Sequence, residues 1–79
     1  MGIAYEKKRV LLSEVVSVED AEGLLEWLQS HPHGTVDLAG CTHLHAANLQ
    51  VLLAANAKIK AWPAEVELRA WLEAALSRP

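Results

Sequence analysis

The sequence predicts an α/β fold, with a small sheet of about four strands, partly parallel, and about three helices packed on it. Short β-favouring segments alternate along the chain with longer segments of helix-forming residues, and such alternation is typical of α/β sheets. Parallel strands require crossover connections, which the intervening helices supply. With 79 residues, the chain is expected to form one domain, residues 1–79.

The first third of the chain predicts strands followed by a helix. Residues 3–12 have the composition of a strand region, Ser13-Glu14 is interpreted as a turn, and Val15-Val16 as a brief second strand. Ser17 is a favourable N-cap, and acidic residues follow it where the helix dipole favours negative charge. We expect this helix to end at about Ser30. Its apolar residues recur at helical spacing and should face the core: Ala21, Leu24, Leu25 and Leu28.

The segment from 34 to 57 is the centre of the predicted fold. It predicts a buried strand over 35–39, a polar loop over 40–43 and a helix from His45 to Ala57. Apolar residues surround nearly the whole of this helix, which is typical of burial on more than one side. We therefore expect the sheet on one side of it and another helix or a second subunit on the other. The strand should be apolar on both faces, with Asp37 as the exception.

The last third predicts one more strand and one more helix. Residues 58–62 alternate in polarity as a short strand does, and Pro63 suits the start of a helix. The helix is expected from Ala64 to Leu76, and residues 77–79 are expected to fray. Five residues form its predicted core face: Leu68, Trp71, Leu72, Ala75 and Leu76.

Composition excludes several classes of protein. A net charge of −3 gives no electrostatic reason to bind a phosphate backbone, so we expect no nucleic-acid partner. The basic run Lys7-Lys8-Arg9 is interpreted as a protected edge strand rather than as an anionic docking patch. A single cysteine excludes an internal disulfide and fits a reducing compartment. Without a signal sequence or an apolar run of about 20 residues, we expect a soluble, cytoplasmic protein with no membrane span.

The central segment resembles the anti-anti-sigma, or STAS, family. Val36 to Gly40, read as Val-Asp-Leu-Ala-Gly, is similar to the family's strand Val-Asp-Leu-Ser-Gly. Leu44 matches the apolar residue before the family's helix, and Leu49 with 52–53 matches the helix itself. The stretch 10–15 also looks like the family's opening. The resemblance implies a STAS-like sheet and a regulatory protein partner, such as an anti-sigma or kinase-like regulator.

The family's phosphorylated motif is absent from this sequence. His45 stands at the position of the family's aspartate, Ala46 at its serine, Ala47 at the next position, and Asn48 at its glycine. Neither alanine has a hydroxyl group, so the phosphoryl switch does not carry over. Thr42 is the nearest hydroxyl, and we expect it to bond the loop or cap the helix rather than to be modified.

Three polar residues suggest an alternative chemistry. Cys41, His43 and His45 could supply zinc ligands, or a thiol nucleophile with a histidine base. Their spacing is not that of a standard zinc pair, and His31 and His33 lie at the other end of the strand, too far to complete the site. We therefore expect no catalytic residue, metal or cofactor, and interpret Asp37 as a carboxylate that accepts loop amides. A small-ligand pocket at the carboxyl ends of the strands is a further alternative.

The sequence thus favours a non-enzymatic module that docks a partner protein or a second copy of itself. A homodimer is a possible form of such docking. The predicted contact surface is the loop and helix start over 40–48, and six residues are assigned to it: Thr42, His43, His45, Ala46, Ala47 and Asn48.

Overall fold

The structure, a computed structural model, describes residues 2–76 and contains one four-stranded mixed sheet. Its strands lie in the order β1-β2-β3-β4; β1 is antiparallel to β2, whereas β2, β3 and β4 are parallel. The predicted α/β fold class is confirmed, while the expected frayed end at 77–79 lies outside the described residues. The elements are β1 Ile3–Tyr5, β2 Arg9–Val16, α1 Ala21–Ser30, β3 Thr35–Leu44, α2 Ala46–Ala54, β4 Lys58–Ala61 and α3 Val66–Leu76.

The helices cover one face of the sheet. Buried side chains of α1, α2 and α3 join a single apolar cluster with Val10, Val36 and Leu38. The β2-α1-β3 and β3-α2-β4 crossovers advance in the same direction, so the usual right-handed connection places both helices on one side. On the opposite face, the row that contains Leu11 and Asp37 is only half-buried. The prediction that the central strand is apolar on both faces is therefore wrong.

The first turn lies earlier than predicted. β1 and β2 are joined by a tight turn, in which the Glu6 amide donates to the Arg9 carbonyl at 2.8 Å. Ser13 and Glu14, interpreted as a turn, lie inside β2. Pairing of Ile3 with Leu12 buries apolar surface, and this gain outweighs the turn preference of the Ser-Glu pair.

Acidic side chains accept backbone amides at two of the helix starts. The Asp20 carboxylate accepts the Ser17 amide at 3.0 Å, and a short 3₁₀ turn over Val18–Asp20 precedes α1. The Glu65 carboxylate accepts the Leu68 amide at 2.8 Å, which starts α3 two residues later than predicted. Such bonds satisfy amides that have no partner within the helix.

The core face of α3 is narrower than predicted. Leu68 and Leu72 are buried, but Trp71 is 42% exposed, so its assignment to the core is wrong. Helix α3 lies over β3, and only the positions four residues apart, Leu68 and Leu72, are fully covered there. Within residues 2–76, no helix has the length and hydrophobicity needed to cross a lipid bilayer.

Candidate functional site

The predicted loop over 40–43 is part of β3, which continues to Leu44. Two shifts in the pairing of β2 with β3 each add one residue on the β3 side, the first after Asp37 and the second after Cys41. Because of these shifts, the buried positions of β3 pass from a spacing of two residues to a spacing of three. The buried residues are Val36, Leu38, Cys41 and Leu44, and the exposed ones between them are Ala39, Gly40, Thr42 and His43.

A hydrogen bond from Thr42 stabilises the second shift in the pairing of β2 with β3. Its hydroxyl donates to the Glu14 carbonyl at 3.1 Å across the two strands. Glu14 has a φ of 54°, a left-handed conformation that costs about 1–2 kcal/mol for a residue with a Cβ. The Thr42 hydroxyl is therefore engaged in holding the strand ends together. We expected it to bond the loop or cap the helix, but its partner lies on β2 and the cap of α2 is His45.

His45 connects β3 to α2. Its amide donates to the Val16 carbonyl at 3.0 Å, and its Nδ1 atom accepts the Ala47 amide at 3.0 Å. His45 is thus the N-cap of α2, which begins at Ala46 and ends at Ala54 rather than at Ala57. Of the two alanines that replace the family's hydroxyl positions, Ala46 is exposed and Ala47 is half-buried.

Asn48 is not part of the surface. Its side chain is fully buried, and its Nδ2 donates to the Ser17 carbonyl at 2.7 Å. Its Oδ1 atom has no hydrogen-bond partner among residues 2–76. The predicted docking role of Asn48 is therefore wrong. The residue instead ties the first turn of α2 to Ser17, the residue that follows β2.

Helix α2 is buried on one side. Its inward residues contact α1 and share the apolar cluster with strand residues, whereas its outward face leaves Leu53 42% exposed. The expectation of burial on more than one side is wrong for this chain, because the two-layer fold places nothing over the outward face within residues 2–76. The outward residues are Ala46, Gln50, Leu53 and Ala54.

Cys41, His43 and His45 do not converge on one point. Cys41 is buried, with its Sγ donating to the His43 carbonyl at 3.5 Å, while the two histidines are exposed. Burial raises the pKa of the Cys41 thiol and disfavours the nucleophilic thiolate. Within residues 2–76, no group of three histidine, cysteine or acidic side chains is placed to hold a metal ion. Asp37 accepts the Ala39 amide at 2.9 Å, which is the structural role that we expected.

Two valines at this edge were not predicted as site residues. Val15 is 57% exposed and Val18 is 54% exposed. Val15 pairs with His43, so the two side chains share a face of the sheet. The sequence analysis assigned Val15 to a brief strand and placed Val18 just after the N-cap Ser17, and neither assignment indicated that the side chain is exposed. The strand-end surface, as we call it below, consists of Val15, Val18, Thr42, His43, His45 and Ala46.

A groove lies elsewhere on the molecule. It measures about 480 Å³ and is formed by α2, β4 and α3, with Leu53, Ile59 and Trp62 in its lining. This groove does not include the strand-end surface, where the small-ligand alternative had been expected. Compared with models of protein families, with curated proteins and with solved structures, the chain has no significant match.

Proposed function

We propose that this protein is a non-enzymatic, STAS-like interaction module that docks a partner protein through the strand-end surface. The observation that carries the proposal is the exposure of two valines at the end of β2: Val15, which pairs with His43, and Val18, which follows three residues later. Exposed apolar side chains that lie together, with polar residues around them, are typical of protein contact sites. Glu14 and Glu19 are exposed next to the two valines and supply a polar rim.

The surface is held rigid by bonds made behind it. The Thr42 hydroxyl fixes β3 to β2, the His45 ring caps α2, and the buried Asn48 amide ties α2 to the Ser17 carbonyl. A surface fixed before binding loses little conformational entropy on association. This arrangement supports recognition by shape and apolar contact rather than by folding on binding.

We further propose that docking is independent of a serine phospho-switch. Ala46 and Ala47 lack hydroxyls, and the Thr42 hydroxyl is already bonded to the Glu14 carbonyl. In the family that the sequence resembles, the added phosphate would lie near a helix N-terminus. Here the His45 side chain accepts one of the free amides at the corresponding helix start. The partner class that the resemblance implies is a regulator of the anti-sigma or kinase type.

The test combines Val15→Ser and Val18→Ser in one variant. Both side chains are more than half exposed, so we expect the fold to persist and partner affinity to fall about tenfold or more, as for central interface residues. Quantitative co-purification from the native host, followed by calorimetry with the captured partner, measures the change. His43→Ala should weaken the same interaction to a smaller extent.

Val66→Ser is the matched control, because Val66 is also an exposed valine but lies on α3. It should leave both capture and affinity unchanged. The proposal fails if the double variant retains the same partner at the same affinity, or if Val66→Ser weakens binding equally. Sedimentation of the purified chain distinguishes a second copy from a different protein as the partner.

A further inference from the structure

The cationic residues of this chain gather at the amino ends of the parallel strands. The sequence has seven lysine and arginine residues, and five of them lie there, although 49 positions separate Arg9 from Lys58. Two come from the β1–β2 turn, one begins β2, and two lie on β4. Because β2 lies inside the sheet, the interpretation of Lys7-Lys8-Arg9 as a protected edge strand is wrong. Most carboxylates lie elsewhere, on the helices and the segments that precede them. The five cations are Lys7, Lys8, Arg9, Lys58 and Lys60.

The pairing register arranges part of this cluster in a row. Arg9 pairs with Thr35, and Thr35 pairs with Lys58, so all three side chains lie on the face of the sheet opposite the helices. Paired strands lie about 4.8 Å apart, which places the Arg9 and Lys58 backbones about 10 Å apart. Thr35 is the shortest of the three, so its hydroxyl lies at the base of a notch with a long cationic side chain on either side.

Further lysines surround this notch. The Thr35 amide donates to the Lys8 carbonyl at 2.9 Å, which fixes the turn beside the start of β3. A concavity of about 410 Å³ lies here, lined by Lys7, Lys8, Arg9, Thr35 and Lys60 together with Glu6. We call this set, with Lys58, the basic notch.

Two carboxylates limit the extent of the positive charge. Glu6 Oε1 accepts the Arg9 Nε at 2.7 Å, and Asp37 lies in the next row of the sheet. The hydrogen bond to Glu6, with the charges of Glu6 and Asp37, raises the pKa of Arg9, which stays charged. Positive charge therefore occupies a compact area rather than a track along the sheet. Such an area fits one concentrated anionic group better than an extended phosphate backbone.

We propose that the basic notch binds a single phosphate group. A phosphate monoester carries nearly two negative charges and three acceptor oxygens, which match two flanking cations and a hydroxyl donor. Lys60 and the turn lysines add point charges around it. The phosphate belongs either to a small phosphate ester or to a phosphorylated side chain of a protein. This site is at the opposite end of the strands from the strand-end surface, so it does not depend on the function proposed above.

Nuclear magnetic resonance titration of the ¹⁵N-labelled chain tests the proposal. The probes are inorganic phosphate, a short phosphoserine peptide and the same peptide without the phosphate. We expect phosphate and phosphopeptide to shift the amide signals of Thr35, Lys58 and Lys60, and the phosphopeptide to bind at least about tenfold more tightly than its unmodified form. If free phosphate binds as tightly as the phosphopeptide, the natural ligand is a small ester. Stronger binding of the phosphopeptide indicates a protein source.

Charge reversal provides the specificity control. Lys60→Glu should weaken phosphopeptide binding about tenfold or more, whereas Arg69→Glu, an equal change of charge on α3, should weaken it less than about twofold. Circular dichroism checks that both variants stay folded. The proposal is overturned if phosphate shifts no signal at the notch, if Arg69→Glu weakens binding as much as Lys60→Glu, or if a single-stranded oligonucleotide binds more tightly than the phosphopeptide.

Discussion

The two ends of the parallel strands β2 and β3 differ in both backbone and charge. At the amino end the pairing is regular, from Arg9 with Thr35 to Leu11 with Asp37, and cations crowd the edge. At the carboxyl end the pairing shifts twice, and Glu14 takes a left-handed conformation. Exposed valines and histidines replace the lysines there. One pair of strands therefore presents two chemically distinct surfaces.

At the carboxyl end, where the strand pairing is irregular, side-chain hydrogen bonds hold the backbone in place. Thr42, His45 and Asn48 each bond a backbone group there, and two of these bonds reach the end of β2 or the residue after it. At the regular end, ladder hydrogen bonds already satisfy the strands, so the lysine side chains remain available to solvent. We infer that removing one of these bonded side chains at the carboxyl end lowers the free energy of unfolding. Replacing a lysine at the amino end changes the surface charge and has little effect on that free energy.

The largest expected effect is that of Asn48→Ala. The change removes one of the two donors to the Ser17 carbonyl, which also accepts the Asp20 amide at 3.1 Å, and leaves a cavity where a fully buried side chain was. We expect the free energy of unfolding to fall by about 2 kcal/mol, measured by urea denaturation. Lys60→Ala at the amino end should change it by less than about 0.5 kcal/mol, as is usual for exposed residues.

Gln50→Ala is the control on the same helix, because Gln50 is exposed. It should have little effect on the unfolding midpoint. A loss of stability for Lys60→Ala comparable to that for Asn48→Ala would contradict the contrast between the two ends.

A smaller effect is expected for His45→Ala. The substitution removes the Nδ1 acceptor of the Ala47 amide at the start of α2. Loss of an N-cap costs about 1 kcal/mol, and His45→Asn should recover most of it, because asparagine is a preferred cap. Thermal and urea denaturation of the two variants measure the difference. Equal stability of both variants would show that the His45 ring contributes no capping.

The smallest effect concerns the alkaline pH dependence of stability. Burial raises the pKa of the Cys41 thiol, so the unfolded chain releases this proton at lower pH than the folded chain does. The contribution of Cys41 is complete below the ordinary thiol pKa of about 8.5 and is lost as the pH rises through the folded pKa. We expect Cys41→Ala to flatten the decline of stability above about pH 8.5.

Tyr5→Phe provides a comparison for this pH dependence of stability, because Tyr5 lies at the other end of the sheet. Partial burial raises the pKa of Tyr5, and the charges of Asp20 and Glu26 add to the shift. Its influence on stability should therefore begin only above the ordinary tyrosine pKa of about 10. If Cys41→Ala leaves the slope between pH 8.5 and 10 unchanged, roughly the window between the two ordinary pKa values, the buried thiol does not contribute to it.

Local sequence was sufficient to predict most strands and helices but not how far the strands extend by pairing with one another. Alternation and composition predicted a strand at 35–39, the helix after His45 and the strand starting at Lys58, and each exists. The continuation of β3 to Leu44 was missed, because residues 40–43 have the composition of a loop and become a strand only by pairing with β2. Sequence propensity contains no information about that partner.

The candidate sites, too, were predictable from the sequence only in part. The absence of hydroxyls at Ala46 and Ala47 was evident from the sequence. The burial of Asn48 was not, because it depends on the Ser17 carbonyl, 31 residues earlier. Lys7-Lys8-Arg9 was visible as a short basic run, but its extension by Lys58 follows only from the pairing with Thr35, and its extension by Lys60 from the shared concavity.

The sequence by itself determined the fold class, the order of strands and helices, and the residue types available at each strand end. These properties depend on propensities and spacings that act over a few residues. Only the tertiary structure decided which side chains lie inside, where the strand register shifts, and which distant lysines become neighbours. Register is a non-local property, since it is set by the burial of apolar surface between strands that are far apart along the chain.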